Sequence, residues 1–356
     1  MTFDHTHSYS RRAALRLGLG GLAAVGAAPL LAGCGGGSST TVDTAAFGAD
    51  EKTLYQAAKK EGGKLTLYTS SDEALIKNLS DGMKKRYGFG FSYQRLNSSD
   101  LSQRYVAEAQ AKNVQADAVL TGDPTLADDW AKKGWVATFP TSELPAYGDW
   151  PSDYATDYYA IVTINPYSMA INTSIVTDTP NEWSFLTDSS ISGKFVTVDL
   201  SNVGLVAFPA WVVLREKYGD DFLEKVSTQK LILSDSGPSA VQQLASGAAG
   251  VYFPCSLTNA KELSDDGAPV KAIIPDSGPV TGAESPAFMS ADAPHPAAAK
   301  LFLNYLLTDE GQKILNVVAS SPKGVSGTPA LPTNYVRPDF AKAQKQHDEL
   351  IKLLGM

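Results

Sequence analysis

The sequence predicts an α/β protein of two lobes, built on mainly parallel sheets and joined by two crossing segments. Three observations predict it. From Lys64 onward, strand-like alternation passes into a polar loop and then into helical spacing, and this unit occurs three times before Gly134. A long extended stretch over residues 158–175, interrupted by Pro166, then breaks the rhythm. Beyond it the same unit restarts and runs to about residue 266, after which residues 270–290 make a return crossing. Repeated units of this kind set parallel strands side by side, with helices on the sheet faces.

In chain order, the first segment is a leader. Ser10-Arg11-Arg12-Ala13-Ala14-Leu15-Arg16 supplies a paired-arginine start, followed by an apolar run over residues 17–31 rich in Gly and Ala. That run is too short and too Gly-rich to span a membrane stably, so it reads as a cleaved signal peptide. Leu31-Ala32-Gly33-Cys34 resembles a bacterial lipobox, which makes Cys34 the lipidated first residue of the mature chain, and the arginine pair resembles a twin-arginine export signal. Residues 34–50, Gly- and Ser-rich at their start, then read as a flexible tether to the outer face of the cell membrane.

Removing 33 residues leaves 323, with 27 basic and 37 acidic side chains and a net charge near −10. This balance excludes nucleic acid and a charge-driven grip on anionic lipid. The length suits a sizeable core and two lobes, here taken as residues 51–157 with 286–356, and residues 158–285. With Cys34 consumed by lipid, Cys255 stands alone and no internal disulfide is available. The expected mature protein is a monomer without cofactor.

A short helix is expected over residues 51–61. Residues 64–69 alternate as a strand, and Leu75, Leu79 and Met83 mark one face of the helix that follows. Residues 89–96 give the next strand, Ser98-Ser99-Asp100 caps a helix, residues 116–120 form a short buried strand, and Thr121-Gly122-Asp123-Pro124 turns into a third helix. In the second lobe, strands are expected at 195–200, 230–233 and 250–253. Helices are expected from Ser201-Asn202 to about 217, after Ser236, and from Leu257, with Pro254-Cys255-Ser256 as a loop. Apolar helices over 296–307 and 310–319 and a terminal helix beyond Pro338 complete the chain, and no fixed-period repeat is present.

Ligands of open α/β sheets sit at the carboxyl ends of strands, where helix N-termini offer free N–H groups to anions. Hydroxyls and amides crowd those loops here. Ser70, Ser71, Thr121, Ser201, Asn202, Ser236 and Ser239 are the candidate ligand contacts, with Tyr167 and Tyr252 as candidate aromatic walls. Helix capping is the commonest use of Ser, Thr and Asp at such positions, and it competes with the ligand role at each one. Asp72 and Asp123 either serve the first turns of their helices or meet an amino group on a ligand.

Several segments carry a resemblance to a known family. They include Leu67-Tyr68-Thr69-Ser70-Ser71, Ala116-Asp117-Ala118-Val119-Leu120-Thr121-Gly122-Asp123-Pro124 and Pro166-Tyr167-Ser168-Met169-Ala170-Ile171-Asn172-Thr173. Ser192-Gly193-Lys194-Phe195, Ala293-Pro294-His295-Pro296 and Thr308-Asp309-Glu310-Gly311-Gln312 follow in order. Together they resemble the solute-binding lipoproteins of ABC importers, in particular the ferric-iron, 2-aminoethylphosphonate and thiamine group. The resemblance implies a type II periplasmic-binding-protein-like fold that closes on a small solute and delivers it to a membrane permease driven by an ATPase. Ferric members use an adjacent tyrosine pair, whereas Val251-Tyr252-Phe253-Pro254-Cys255 offers one tyrosine at the matching place. A small oxyanion such as a phosphonate therefore suits the hydroxyl-rich loops better than ferric iron with an anion, and no metal cluster is expected. The alternative is an exported, lipid-anchored hydrolase, for which no Gly-x-Ser-x-Gly elbow, His-Glu-x-x-His or phosphate loop is found.

Overall fold

A computed structural model describes residues 42–356; the expected signal segment and Cys34 lie outside the described residues. The chain joins the fold earlier than its composition suggests. Val42 and Phe47, expected in the tether, pack on the first core. Phe47 stands edge-on to Tyr55 at 5.5 Å between ring centroids and lies under the Arg86 guanidinium at 5.3 Å. One aromatic anchor thus joins the chain to the fold before helix α1 (Ala49–Lys60).

The first half follows the expected order: β1 (Thr66–Thr69), α2 (Glu73–Tyr87), β2 (Ser92–Arg95), α3 (Ser98–Gln110), β3 (Ala118–Leu120) and α4 (Pro124–Lys132). β1 lies between β2 and β3, parallel to both. β1 and β3 are buried on both faces, so neighbouring residues point into different cores: Leu67 and Tyr68, or Leu120 and Val119, belong to opposite faces.

Strand β4 (Ala160–Asn172) belongs to both halves. After it come β5 (Phe195–Val198), α5 (Phe208–Tyr218), α6 (Asp220–Ser227), β6 (Ile232–Ser234), α7 (Gly237–Ala245), β7 (Val251–Ser256), α8 (Leu257–Asp265) and β8 (Val270–Ile273). β9 (Gly282–Met289) returns to the first half, followed by α9 (Pro296–Leu307), α10 (Asp309–Leu315), α11 (Phe340–Lys345) and α12 (His347–Leu353). The first seven residues of β4 carry its pairing to β9, and the rest pairs with β7 on one side and β8 on the other. β5 lies between β6 and β7, parallel to both. The helix-linked strands are parallel as expected, while every antiparallel pair contains β4 or β9, which meet their neighbours without the crossover helix that parallel pairing needs.

Several local expectations are corrected. Ser201 and Asn202 do not open a helix: the Asp199 carboxylate gathers the Ser201 N–H at 3.0 Å, the Ser201 hydroxyl at 2.6 Å and the Asn202 amide at 2.6 Å, closing a turn. α5 begins only at Phe208, with Pro209 in its first turn. Pro254-Cys255-Ser256 continues β7 instead of leaving it; the ladder to β4 shifts register between Ser168 and Ala170, across from the proline that has no N–H to donate. β8 stays in the second half, so β9 alone makes the return crossing. It starts at Gly282, where a Cβ would stand 2.3 Å from the Asn165 carbonyl oxygen.

The C-terminal stretch does not all remain with the first half. Ser320 exchanges backbone bonds with Ile164 at 3.0 and 2.7 Å, and Asn334 and Val336 bond to Val280 at 3.1 and 2.7 Å, so a third segment lies across the hinge. Ala343, Leu350 and Leu354 then enter the core of the second half. They cover α5, whose residues from Phe208 to Leu214 are all buried and so need apolar neighbours on every side.

Candidate functional site

The chain leaves β1 through α2 to β2 on one side and reaches β3 on the other, which makes the β1 and β3 ends a topological switch point. The Ser70 N–H donates to the Leu120 carbonyl at 3.3 Å, drawing the two strand ends together. The Ser70 hydroxyl then lies 3.5 Å from that of Thr121 and accepts the Gly122 N–H at 3.2 Å. The Ser71 N–H is turned inward onto the Thr69 hydroxyl at 3.1 Å. Ser70 and Thr121 therefore meet across the two strand ends, with Ser71 next along the loop. Beside them Asp123 accepts the Thr125 N–H at 2.9 Å and its hydroxyl at 2.6 Å, capping α4. Burial pushes the Asp123 carboxyl up, and the Thr125 bonds act the other way.

The other candidates are placed differently. Ser236 caps α7 by accepting the Ser239 N–H at 3.3 Å, so those two serines meet each other. Ser201 and Asn202 sit in the exposed turn on Asp199. Tyr167 and Tyr252 lie within the second core, 6% and 2% exposed. The Tyr167 hydroxyl donates to the Val206 carbonyl at 2.9 Å, and burial pushes both phenols up. In this conformation they are packing residues and not walls of an open cleft.

Two residues escaped sequence reasoning. Asn165, just before the β4 crossing point, donates to the Ser256 and Thr258 hydroxyls at 3.0 and 2.8 Å and accepts the Leu257 N–H at 3.1 Å, capping α8 from another strand. Arg95, the last residue of β2, donates from Nε to the Ser71 carbonyl at 3.1 Å. Its signal in sequence was its place at a strand's carboxyl end. Of the helices that follow these strand-end loops, α3, α4, α7 and α8 are capped by side chains, whereas α2 and α5 have no such bond.

Among the described residues no three His, Cys, Asp or Glu side chains gather to hold a metal. His295 bonds from Nδ1 to buried Asp117 at 3.1 Å, and His347 stacks on Phe208 at 4.7 Å. Cys255 is fully buried, which pushes its thiol up. A shallow groove of about 390 Å³, lined by Val213, Lys217, Gly278 and Val336 among others, lies beside the third crossing segment and not at these loops.

Two αβ halves, strands shared across a hinge and polar loops at the strand ends define a type II periplasmic-binding-protein fold. Residues 78–321 match the model of the bacterial extracellular solute-binding proteins, and the chain belongs to that family. Among solved structures it is similar to the substrate-binding protein of an ABC transporter from Agrobacterium tumefaciens, with 16% identity, 82% of this chain and 94% of the other covered, and a TM-score of 0.69. It is also similar to AfuA from Actinobacillus pleuropneumoniae, in a structure with fructose-6-phosphate bound (19% identity, 81% and 96% covered, TM-score 0.64). Iron-bound HitA from Pseudomonas aeruginosa is a third (18% identity, 82% and 99% covered, TM-score 0.63). No curated protein sequence matches the chain.

Proposed function

We propose that this protein is the solute-capturing component of an ABC importer, that its solute is a small oxyanion, and that the switch-point cluster of Ser70, Ser71 and Thr121 receives it. The observation that carries the reading is that cluster, set beside the start of α2, which no side chain caps. A solute held there and met by the Ser236 and Asn202 loops of the other half would bias the protein toward a closed form, because a ligand shifts a hinge only by contacting one state better. The closed form then docks on a permease driven by an ATPase. Lipid on Cys34, after export through a twin-arginine-type signal, holds it to the membrane's outer face as a monomer.

The structural relatives hold both phosphorylated sugar and iron. Buried, neutral Tyr167 and Tyr252 favour the oxyanion over a ferric phenolate site here.

The test is a native mass spectrum of the full lipidated chain, released in detergent from its own host without chelators, against its denatured mass. An added organic phosphate, phosphonate or carboxylate supports the reading. An added iron overturns the choice of solute, and chromogenic ester turnover would favour the hydrolase. Scattering curves unchanged by the identified solute would overturn closure.

A further inference from the structure

Five arginines lie among the described residues. Four hold a carboxylate: Arg86 on Glu51 and Glu310, Arg104 on Glu108, Arg215 on Asp220 and Glu349, and Arg337 on Glu284. Arg95 holds none. Its backbone is in register with Thr69, so the end of β2 stands beside the end of β1, and its Nε is fixed to the Ser71 carbonyl. Two acids stand at that loop's helix start: Glu73 accepts the Tyr93 hydroxyl, on the same strand face as Arg95, at 3.0 Å, and the N-cap Asp72 makes no side-chain bond to α2.

We propose that Arg95 is the cationic contact of the ligand site, and that its two terminal nitrogens take the anionic head of the solute, a phosphoryl, phosphonyl or carboxylate group. This rests on the solute-binding reading above and adds to it the charge of the solute and the residue that meets it. A guanidinium has five N–H donors in a planar fork, and the Ser71 bond uses one, leaving four toward a partner. Anchoring at Nε also fixes the plane of the fork before the solute arrives, so less side-chain freedom is lost on binding. The surrounding chain is strongly acidic and repels anions at long range, and an unpaired arginine beside the Ser70–Thr121 cluster supplies the local attraction an oxyanion needs.

The experiment melts the full chain against four probes at millimolar concentration: inorganic phosphate, methylphosphonate, succinate and putrescine. The anionic probes are expected to raise the melting temperature and putrescine to leave it unchanged; phosphate and methylphosphonate against succinate decide between a phosphorus and a carboxylate head. In Arg95→Gln the half-saturating concentration of the active anion is expected to rise about 10- to 100-fold, with the unliganded melting temperature unmoved. Arg95→Lys should fall between, since an ammonium cannot hold the Ser71 carbonyl and present a fork together. An unchanged half-saturation in Arg95→Gln overturns the role of Arg95 and leaves the solute-binding reading intact. A response to putrescine alone, or to no probe, overturns the anionic head, and the co-purified mass then decides the reading itself.

Discussion

Arg337 clasps Glu284 at the hinge. Its Nε lies 3.0 Å from one carboxylate oxygen and its Nη2 2.5 Å from the other, while Nη1 reaches the Asp153 carbonyl and the guanidinium covers the Tyr154 ring at 4.7 Å. Glu284 sits on the returning strand and is almost fully buried, with the Tyr335 hydroxyl donating to it at 3.1 Å. The pair therefore binds the third crossing segment to the second. Arg337→Met is expected to destabilise the fold by about 2 kcal/mol, because the carboxylate stays buried without its cation, and the half-exposed arginine keeps the loss below that of a fully buried pair. Glu284→Leu combined with Arg337→Met should recover part of it. Urea unfolding measures both, and a single variant as stable as the wild type would show that the clasp contributes nothing.

Asn165 is the second joint. It lies in the β4 stretch paired with β9, yet all three of its side-chain bonds go to Ser256, Leu257 and Thr258. Asn165→Ala removes them together and leaves the α8 start uncapped, a loss of about 1–3 kcal/mol. Asn165→Asp keeps an acceptor for the Leu257 N–H, the two hydroxyls turn to donate, and a negative charge suits a helix N-terminus, so it should cost far less. Equal losses in the two variants would contradict the capping role.

The pH dependence follows from Asp123. Burial raises its folded pKa above the ordinary carboxylate value, so its contribution to stability is fully present below about pH 3.9 and is lost as pH rises through the raised value. Asp123→Asn keeps the acceptor for Thr125 without the buried charge. The variant should be the more stable protein at neutral pH, with the difference vanishing in acid. Chemical unfolding across that range checks the sign; a variant weaker than wild type at neutral pH would contradict it.

The alternating units of both halves were legible in the sequence because short strands such as β1 and β3 are apolar and followed by polar caps, as at Asp123. The cap of α3, however, is Asn97 and not the expected Ser98-Ser99-Asp100, since the Asn97 side chain accepts the Asp100 N–H. The place of Ser70 and Thr121 at neighbouring strand ends was legible because loops after adjacent parallel strands converge. What was not legible depends on long-range contact. Nothing local tells that Asp199 would draw Ser201 and Asn202 into a turn, that Tyr167 would spend its hydroxyl on Val206, or that α11 and α12 would cover α5. Asn165 and Arg95 acquire meaning only once their partners, some 92 and 24 residues away in sequence, are in place.

Cysteine counting tests the anchor and the core together. Cys255 is fully buried, its thiol pushed up by that burial and its S–H directed at the Ser256 carbonyl at 3.4 Å, so the thiolate that reacts with disulfide reagents is scarce and shielded. If Cys34 carries lipid, the native membrane-derived protein shows no reactive thiol, and unfolding in urea exposes one. Cys34→Ala should give the same count while leaving the membrane as a folded, soluble chain. A native thiol in the wild type that disappears in Cys34→Ala would show Cys34 unmodified and the anchor absent, whereas a native thiol present in both would place Cys255 within reach of solvent and contradict its burial.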